Sequence, residues 1–259
     1  MTNKLEQVFL NKTNNVLNVY CTAGYPFLES TNEVINSLQN NKVDIIELGI
    51  PYSDPLADGP TIQESSMVAI NNGMTIEVLF NQLKENKNVL ESKTALILMG
   101  YLNPILLFGF EKFCAKAKEV GVDGLILPDM PTYEFEKTYK AIIDKHDLNF
   151  IFLVTPETSE ARVRMLDNLS SGFLYAVSSS SITGSDKDFS TVTSYLQRLQ
   201  SYQLKNKILV GFGIKDKQTF NIACANSNGA IIGSAYIKAL QNCEDINTTT
   251  TQFINQILH

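Results

Sequence analysis

The sequence predicts an α/β fold: a closed (β/α)8 TIM barrel that forms a single domain over residues 1–259 and carries extra short helices. Eight short runs are apolar throughout, as expected of parallel strands buried on both faces. Longer segments with helical spacing lie between them, without an obvious linker. Eight such units in 259 residues match a barrel better than an open doubly wound sheet, because α/β barrels commonly run to about 250 residues.

The predicted strands are spread over most of the chain. They are Leu17–Cys21, Val43–Leu48, Thr94–Met99, Gly124–Leu127, Phe150–Val154, Gly172–Val177, Ile208–Val210 and Ala230–Ile232. No G-x-G-x-x-G motif follows the first of them, which argues against a dinucleotide-binding Rossmann unit.

Several of the intervening helices can be placed from local signals. A helix is predicted from Thr75 to Leu90, where leucines recur on one stripe, and another carries Phe113, Ala117 and Val120 on one stripe before Gly121. A third helix begins after Ser159, whose hydroxyl can cap the free amides of the first turn.

Two connections that follow predicted strands are unusually long. Residues 49–74 include a short predicted helix, Thr61–Asn71, which ends before Gly73. The second connection, residues 178–190, is polar. Because the loops after strands form the catalytic face of such a barrel, both connections are expected to be active-site loops.

Charge and cysteine content exclude several classes of protein. The net charge of -6 and the pI near 5.0 provide no basic field for a nucleic acid. The cysteines stand far apart without metal-ligand spacing, so we expect reduced thiols and no metal. No apolar run of about 20 residues and no leader-type apolar segment occurs, and we expect a cytoplasmic protein without a membrane span.

The stretch "ELGIPYSDPLADGP" (47–60) places three carboxylates directly after the second strand. Glu47 is expected to point into the barrel mouth, where desolvation would raise its pKa and suit it to proton transfer; a lysine partner across the barrel is the alternative. Asp58 lies in a loop braced by prolines, which can present a side chain for chemistry or simply form a turn, and Asp54 allows the same two interpretations.

Only two histidines occur, and neither follows a predicted strand. His146 comes after a predicted helix, and His259 is the last residue. Acid/base chemistry on this face must therefore use carboxylates or tyrosines, which favours Glu47 and Asp58 and makes a Ser-His hydrolase improbable.

Glycine-rich turns after the last two strands predict a site for a small phosphorylated ligand. Glycines let backbone amides approach an anion closely, and barrels of this class often bind phosphate at this position. The residues concerned are Gly211, Phe212 and Gly213 after strand 7 and Gly233 and Ser234 after strand 8. Gly184, after strand 6, is expected to close the third side of this phosphate site.

Longer motifs resemble a known family, that of the tryptophan synthase α subunit. The most specific is "ELGIPYSDPLADGPTIQ", and others follow in the family's order over nearly the whole chain. They are "VYCTAGYP" (19–26), "YLNPI" (101–105), "GVDGLILPDMP" (121–131), "FLVTPETSEAR" (152–162), "GFLYAVS" (172–178), "GFGI" (211–214) and "GSA" (233–235).

The resemblance implies a lyase of tryptophan biosynthesis, which cleaves indole-3-glycerol phosphate reversibly to indole and glyceraldehyde 3-phosphate. It implies Glu47 as the general acid/base and Asp58 as the partner of the indole N–H. Tyr175 matches an active-site tyrosine. The implied phosphate ligands are Gly184, Gly213 and Ser234, and the implied indole pocket is formed by Tyr20, Thr22 and Leu98 or Met99.

The resemblance also implies a partner. The family's α subunit works with a β subunit that carries pyridoxal phosphate (PLP), in an α2β2 heterotetramer, and the α chain needs no cofactor of its own. Asp54 would lie at this subunit contact, and Thr183 would meet Asp58 when the loop after strand 6 closes. Ser179 and Ser181 stand where the family often has arginine and glycine, so the closure of this loop is expected to differ.

Three alternatives stay open at this point: a different phosphate-binding barrel enzyme, a free-standing indole-3-glycerol phosphate lyase, and a catalytically silent barrel that only binds. The paired carboxylates favour an enzyme, since a pure binder has no need of a desolvated base.

Overall fold

The structure is a computed structural model that describes residues 3–86, 88–89, 92–178 and 186–259, with side chains from residue 190 onward in the last range. Thr183, Gly184, Ser179 and Ser181, and with them most of the predicted loop 178–190, lie outside the described residues.

The described strands form one parallel sheet. They are β1 (Val16–Thr22), β2 (Ile45–Gly49), β3 (Ala95–Met99), β4 (Gly124–Ile126), β5 (Asn149–Ile151), β6 (Leu153–Val154), β7 (Phe173–Val177), β8 (Lys207–Gly211) and β9 (Gly229–Ile232). Their order is β5-β4-β3-β2-β1-β9-β8-β7-β6. Since the two ends of this order, β5 and β6, are consecutive in the chain, the sheet curls into a nearly closed barrel, and the predicted fold class is confirmed.

One predicted strand, Phe150–Val154, is divided in the structure. The ladder stops at Phe152, between β5 and β6, at the seam of the barrel. Here the amides of Phe150 and Phe152 donate to the side-chain hydroxyls of Ser171 and Ser170, at 2.9 and 3.1 Å. At the seam, these backbone amides therefore bond serine hydroxyls in place of the carbonyl groups of a neighbouring strand. The pattern of apolar residues in the sequence does not show where this happens.

Helices surround the barrel. The described ones are α1 (Lys4–Asn11), α2 (Ser30–Asn40), α3 (Pro60–Asn71), α4 (Ile76–Glu85), α5 (Leu102–Phe108), α6 (Phe110–Glu119), α7 (Thr132–Glu134), α8 (Lys140–Lys145), α9 (Glu160–Leu169), α10 (Asp186–Ser201), α11 (Lys217–Ala225), α12 (Ser234–Leu240) and α13 (Ile246–Leu258). A π-helical turn, Phe135–Tyr139, joins α7 to α8.

Capping hydrogen bonds are present at the starts of two of the predicted helices. Ser159 accepts from the amide of Arg162 and caps α9, and Thr75 caps α4 by accepting from the amide of Val78. Helix α4 ends at Glu85, before the predicted end at Leu90, which itself lies outside the described residues. Helix α3 starts one residue earlier than predicted, at Pro60, where the missing N–H of proline is no loss.

Other whole-chain expectations concern cysteines and membranes. Cys21 and Cys114 are buried free thiols, and Cys224 and Cys243 are half-buried free thiols. Within the described part of the chain, no helix combines the length and the apolar character that a membrane crossing requires.

Candidate active site

A cavity of about 560 Å³ opens where the strands end at their carboxyl termini. Its wall contains most of the residues that the sequence marked for function: Tyr20, Glu47, Asp58, Tyr175, Gly211, Phe212, Gly213, Gly233 and Ser234. Residues more than 200 positions apart in the chain therefore meet in one site, as parallel strands with a common direction require.

Glu47 lies in β2 with only 1% of its surface exposed. The Nδ2 atom of Asn18 donates to its Oε2 atom at 3.1 Å, and no lysine pairs with it among the described residues. Burial raises the pKa of Glu47 to about 8, and the bond from Asn18 opposes this rise. At neutral pH the carboxyl group is therefore mostly protonated. Because its pKa lies close to neutral pH, it can both donate and accept a proton.

Asp58 is half-buried at the rim and is held from one side by Tyr101. The Tyr101 hydroxyl donates to Asp58 Oδ2 at 2.9 Å and accepts from the amide of Ala57 at 3.0 Å. Tyr52 stacks on the Tyr101 ring at 5.2 Å between centroids. Burial raises the pKa of Asp58, and the bond from Tyr101 lowers it. The carboxylate thus bonds a tyrosine of the next unit rather than the amides of its own turn.

Two tyrosines, the buried Tyr20 and the half-buried Tyr175, form walls of the cavity by lying over glycines. A Cβ atom on Gly49 would lie 2.0 Å from the Tyr20 hydroxyl, and one on Gly211 would lie 2.8 Å from the Tyr175 hydroxyl. Both glycines are needed for close packing rather than for an unusual backbone angle, since neither has a positive φ. The tyrosine rings narrow the cavity into a slot with apolar walls.

Thr22 does not reach the cavity wall. Its hydroxyl lies 2.7 Å from that of Ser65 and donates to that of Tyr20 at 3.4 Å. Thr22 is thus linked to the cavity wall through the Tyr20 hydroxyl.

Met99, rather than Leu98, lines the cavity from β3. Glu47 pairs with Ile97 and Gly49 with Met99 in the β2–β3 register. Because side chains alternate between the two faces of a strand, the residues that share the face of Glu47 are Ile97 and Met99, and Leu98 belongs to the opposite face. The predicted choice between Leu98 and Met99 is therefore corrected to Met99.

The glycine turns form a further part of the wall. Gly211 is the last residue of β8, residues 212–214 follow it, and Gly233 precedes α12. Lys215 and Lys238 also line this end of the cavity, and both are exposed. The sequence analysis overlooked both lysines, although Lys238 follows Ser234 by four residues and so shares its helix face.

Asp54 stands apart from the other two carboxylates of its motif. It is exposed, accepts a bond from the Ser53 hydroxyl and does not line the cavity. The three carboxylates thus divide into two that face the cavity and one on the outer surface.

Asn18 and Tyr101 are functional candidates that sequence reasoning missed. A signal for Asn18 exists, since an amide inside the apolar strand "VLNVYCT" shares the inward face of Tyr20. Tyr101 stands inside the quoted motif "YLNPI", but nothing local indicates that its hydroxyl meets Asp58, 43 residues earlier.

Comparison with known proteins agrees with this geometry. The family model described as tryptophan synthase alpha chain matches residues 7–258. The chain belongs to the tryptophan synthase alpha chain family. Tryptophan synthase alpha chains of Flavobacterium johnsoniae and Parabacteroides distasonis are 49% and 48% identical to it. The first match covers 96% of this chain and 97% of the relative, and the second covers 93% of each.

Solved structures of the family have the same fold. The tryptophan synthase alpha subunit of Legionella pneumophila superposes with a TM-score of 0.89 at 29% identity, covering 100% of this chain and 98% of that one. A chain of M. tuberculosis tryptophan synthase, in an aminoacrylate-bound form, gives 0.85 at 27% identity, with 99% and 98% covered.

Family membership fixes the class of activity. Tryptophan synthase alpha chains are lyases of tryptophan biosynthesis that cleave indole-3-glycerol phosphate, and they form a complex with a beta subunit. The PLP of tryptophan synthase resides in that beta subunit and not in the alpha chain. The alternatives of a different phosphate-binding enzyme and of a silent barrel are therefore set aside.

Proposed function

We propose that Glu47 and Asp58 carry out the cleavage of indole-3-glycerol phosphate, with Glu47 as the general acid and base and Asp58 as the partner of the indole nitrogen. The observation that carries this proposal is the placement of two desolvated carboxyl groups on one cavity, with a glycine turn and lysines at its other end. Two such groups that repel each other favour one protonated and one ionised carboxyl, which is an acid beside an anion.

The proton transfers follow from this pairing. Protonated Glu47 gives its proton to the indole C3 atom, and the ring becomes a cation with charge on its nitrogen. The Glu47 carboxylate then removes the proton of the glycerol hydroxyl next to C3. An aldehyde forms, the carbon–carbon bond breaks, and its electrons neutralise the ring. The net change moves one proton from oxygen to carbon and returns Glu47 to its starting state.

Asp58 supports the cationic stage. An anion fixed beside the indole N–H stabilises the charge that develops on that nitrogen. Tyr101 supports this role because its hydroxyl bond keeps Asp58 Oδ2 in place and favours the ionised form.

The phosphate of the substrate is assigned to the glycine end of the cavity. Gly211, Phe212 and Gly213 offer backbone amides, and Gly233 and Ser234 offer an amide and a hydroxyl. Lys215 and Lys238 add positive charge at the rim, which suits a dianion in a chain with net charge -6. Thr183 and Gly184 keep their proposed roles in closure and phosphate binding.

The indole ring is assigned to the slot between Tyr20, Tyr175 and Met99, with Thr22 donating to the Tyr20 hydroxyl. An aromatic bicycle fits such a slot because ring faces can pack against the tyrosine rings.

The outer surface around Asp54 is proposed as the contact with the beta subunit in an α2β2 assembly located in the cytoplasm. Leu56, two residues from Asp54, is 86% exposed, and Leu107 in α5 is 83% exposed. Large apolar side chains exposed beside active-site loops favour coverage by a partner.

The proposed function is tested by following indole release from indole-3-glycerol phosphate, with and without a beta subunit. We expect slow release by the isolated chain and a large gain with the partner. Equal rates in both conditions would favour the free-standing lyase, and no release in either condition would contradict the proposal.

A further inference from the structure

Asn18 is a fully buried asparagine in the middle of β1. It precedes Tyr20 by two residues, so both side chains lie on the inward face of the strand. Its Nδ2 atom donates to Glu47 Oε2 at 3.1 Å, across the β1–β2 pair. An amide at this depth has no role in the chemistry described above.

The other end of the same amide has no partner. Asn18 Oδ1 is buried and accepts no hydrogen bond from any described residue. Buried polar atoms are normally satisfied, so an acceptor left open beside a titrating group requires an explanation. Glu47 provides the explanation, because its carboxyl group presents an O–H donor when it is protonated and only acceptors when it is ionised.

We propose that Asn18 is a positioning residue that binds Glu47 in both of its protonation states. Its Nδ2–H donates to the carboxylate, and its Oδ1 accepts from the carboxylic acid after the amide rotates about its Cβ–Cγ bond. The two ends of an amide have nearly the same shape, so this rotation needs no rearrangement of the neighbours. The inference rests on the acid/base role proposed for Glu47, which requires both states in every turnover.

The surroundings of Glu47 make Asn18 important for the ionised state. Among the described residues, the titratable groups that interact electrostatically with Glu47 are Tyr20 and Cys21 of β1, Tyr175 of β7 and Asp58 of the loop after β2, and none of these four is a cation. Among the described residues, Asn18 is the side chain that donates a hydrogen bond to Glu47. Burial and Asp58 raise the pKa of Glu47, and the bond from Asn18 acts against both.

The test replaces Asn18 with leucine, which keeps a similar size but removes donor and acceptor. The full chain is labelled at glutamate carboxyl carbons and titrated by 13C NMR, and the Glu47 signal is identified by its loss in Glu47→Gln. We expect the Glu47 midpoint to rise by about one pH unit in Asn18→Leu, because the bond to the charged carboxylate is stronger than the bond from the neutral acid, so losing both costs the ionised state more.

Turnover supplies a second readout of the same variant. In indole release with the beta subunit present, kcat at neutral pH should fall because a weaker acid protonates C3 less readily. The decline of the rate on the alkaline side should move to higher pH, and KM should change little. A purely structural role for Asn18 would lower the rate without moving this decline.

Asn149→Leu is the matched control. Asn149 is also a buried asparagine in a strand, and its Nδ2 atom donates to the carbonyl of Asp123 at 3.1 Å, away from the cavity wall. Its substitution should leave the Glu47 midpoint in place. Asn18→Val provides a second test with a strand-forming residue if the leucine variant folds poorly.

The outcomes separate the two proposals. An unchanged Glu47 midpoint in Asn18→Leu and Asn18→Val would overturn the role of Asn18, even if Glu47→Gln is inactive. A midpoint that moves while Glu47→Gln keeps normal turnover would support the role of Asn18 and overturn the role proposed for Glu47.

Discussion

Glu47 and Asp58 carry the same functional group in different surroundings, and these surroundings assign their tasks. Glu47 is enclosed by strands and receives one hydrogen bond from an amide. Asp58 lies at the rim and receives one from a phenol. Greater burial raises the pKa of Glu47 to about 8, which favours its acid form near neutral pH. The less buried carboxyl is better suited to remain an anion.

Replacing Glu47 with glutamine tests the proton transfer. Glutamine keeps the shape but cannot give or take a proton, so kcat for indole release should fall roughly 10²–10⁴-fold, the range expected for loss of general acid/base catalysis. Binding of glyceraldehyde 3-phosphate, measured by calorimetry, should be almost unchanged because the proposed phosphate contacts do not involve Glu47. Turnover equal to that of the unmodified chain would refute the assigned role.

The same substitution should increase stability at higher pH. Between its ordinary pKa of 4.5 and its folded value of about 8, Glu47 binds a proton in the folded state but not in the unfolded state. Stability therefore falls as pH rises through this window, by up to about 1.4 kcal/mol per pH unit. Glutamine does not titrate, so the gain from Glu47→Gln should grow from pH 5 to pH 8.

Urea denaturation at several pH values measures this gain. Glu85→Gln, at an exposed position in α4, is the control for the loss of one glutamate outside the cavity. A gain for Glu47→Gln that is the same at pH 5 and pH 8 would contradict the raised pKa.

At the scale of elements, strands β1 and β2 position the site by pairing in register. Tyr20 is paired with Glu47 and Thr22 with Gly49. The Tyr20 ring extends toward Gly49, where the absence of a Cβ atom leaves room for it. The positions of Glu47, the proposed acid, and of the Tyr20 ring are thus fixed by one strand pair and one glycine.

Gly49→Ala should disturb both packing and substrate binding. Its Cβ atom would lie 2.0 Å from the Tyr20 hydroxyl and 2.5 Å from the ring carbon that bears it, so the ring must move. Overpacking of this kind costs about 1–3 kcal/mol of the free energy of unfolding, and KM for the substrate should rise.

Gly59→Ala is the control for this prediction. Gly59 has a φ of -74°, and a Cβ atom there meets nothing within 4 Å. Its free energy of unfolding, from urea denaturation, should stay within about 0.5 kcal/mol of the original. If Gly49→Ala is as mild as Gly59→Ala, the close approach of Tyr20 is not a constraint.

At the scale of the whole molecule, one end of the barrel carries both the site and the candidate partner surface. The loop after β2 holds Asp58 toward the cavity and Asp54 and Leu56 toward solvent. A partner bound to the outer side would contact the same short loop that presents Asp58. Such a loop gives a physical path by which partner binding can change the activity of the site.

Asp54→Ala tests this coupling. The isolated chain should release indole at its original slow rate, because Asp54 does not line the cavity. The gain on adding the beta subunit should be smaller at a fixed subunit concentration, by roughly fivefold or more if the coupling lies in the usual range. Glu6→Ala, an exposed position in α1 before β1, is the control and should leave the gain intact. An unchanged gain in Asp54→Ala would remove Asp54 from the contact.

The amino-acid sequence by itself determined the barrel, the acidic motif and the class of reaction. Buried parallel strands are apolar throughout, and glycines mark the turns after β8 and β9. No histidine follows a predicted strand, which favours carboxylates or tyrosines as the proton carriers, and the motifs that resemble the family imply the reaction. These signals are local, so they can be recognised without knowing which strands are neighbours. The single-domain organisation stays a prediction of the same kind.

Only the tertiary structure decided which side chains meet. The bonds from Asn18 to Glu47 and from Tyr101 to Asp58, the choice of Met99 over Leu98 and the serine seam at Phe152 all depend on strand register and barrel closure. Register joins residues from separate units of the chain, and a shift of one residue would turn every side chain of a strand to its other face. The fold class tolerates many such arrangements, whereas the chemistry proposed for Glu47 depends on one of them.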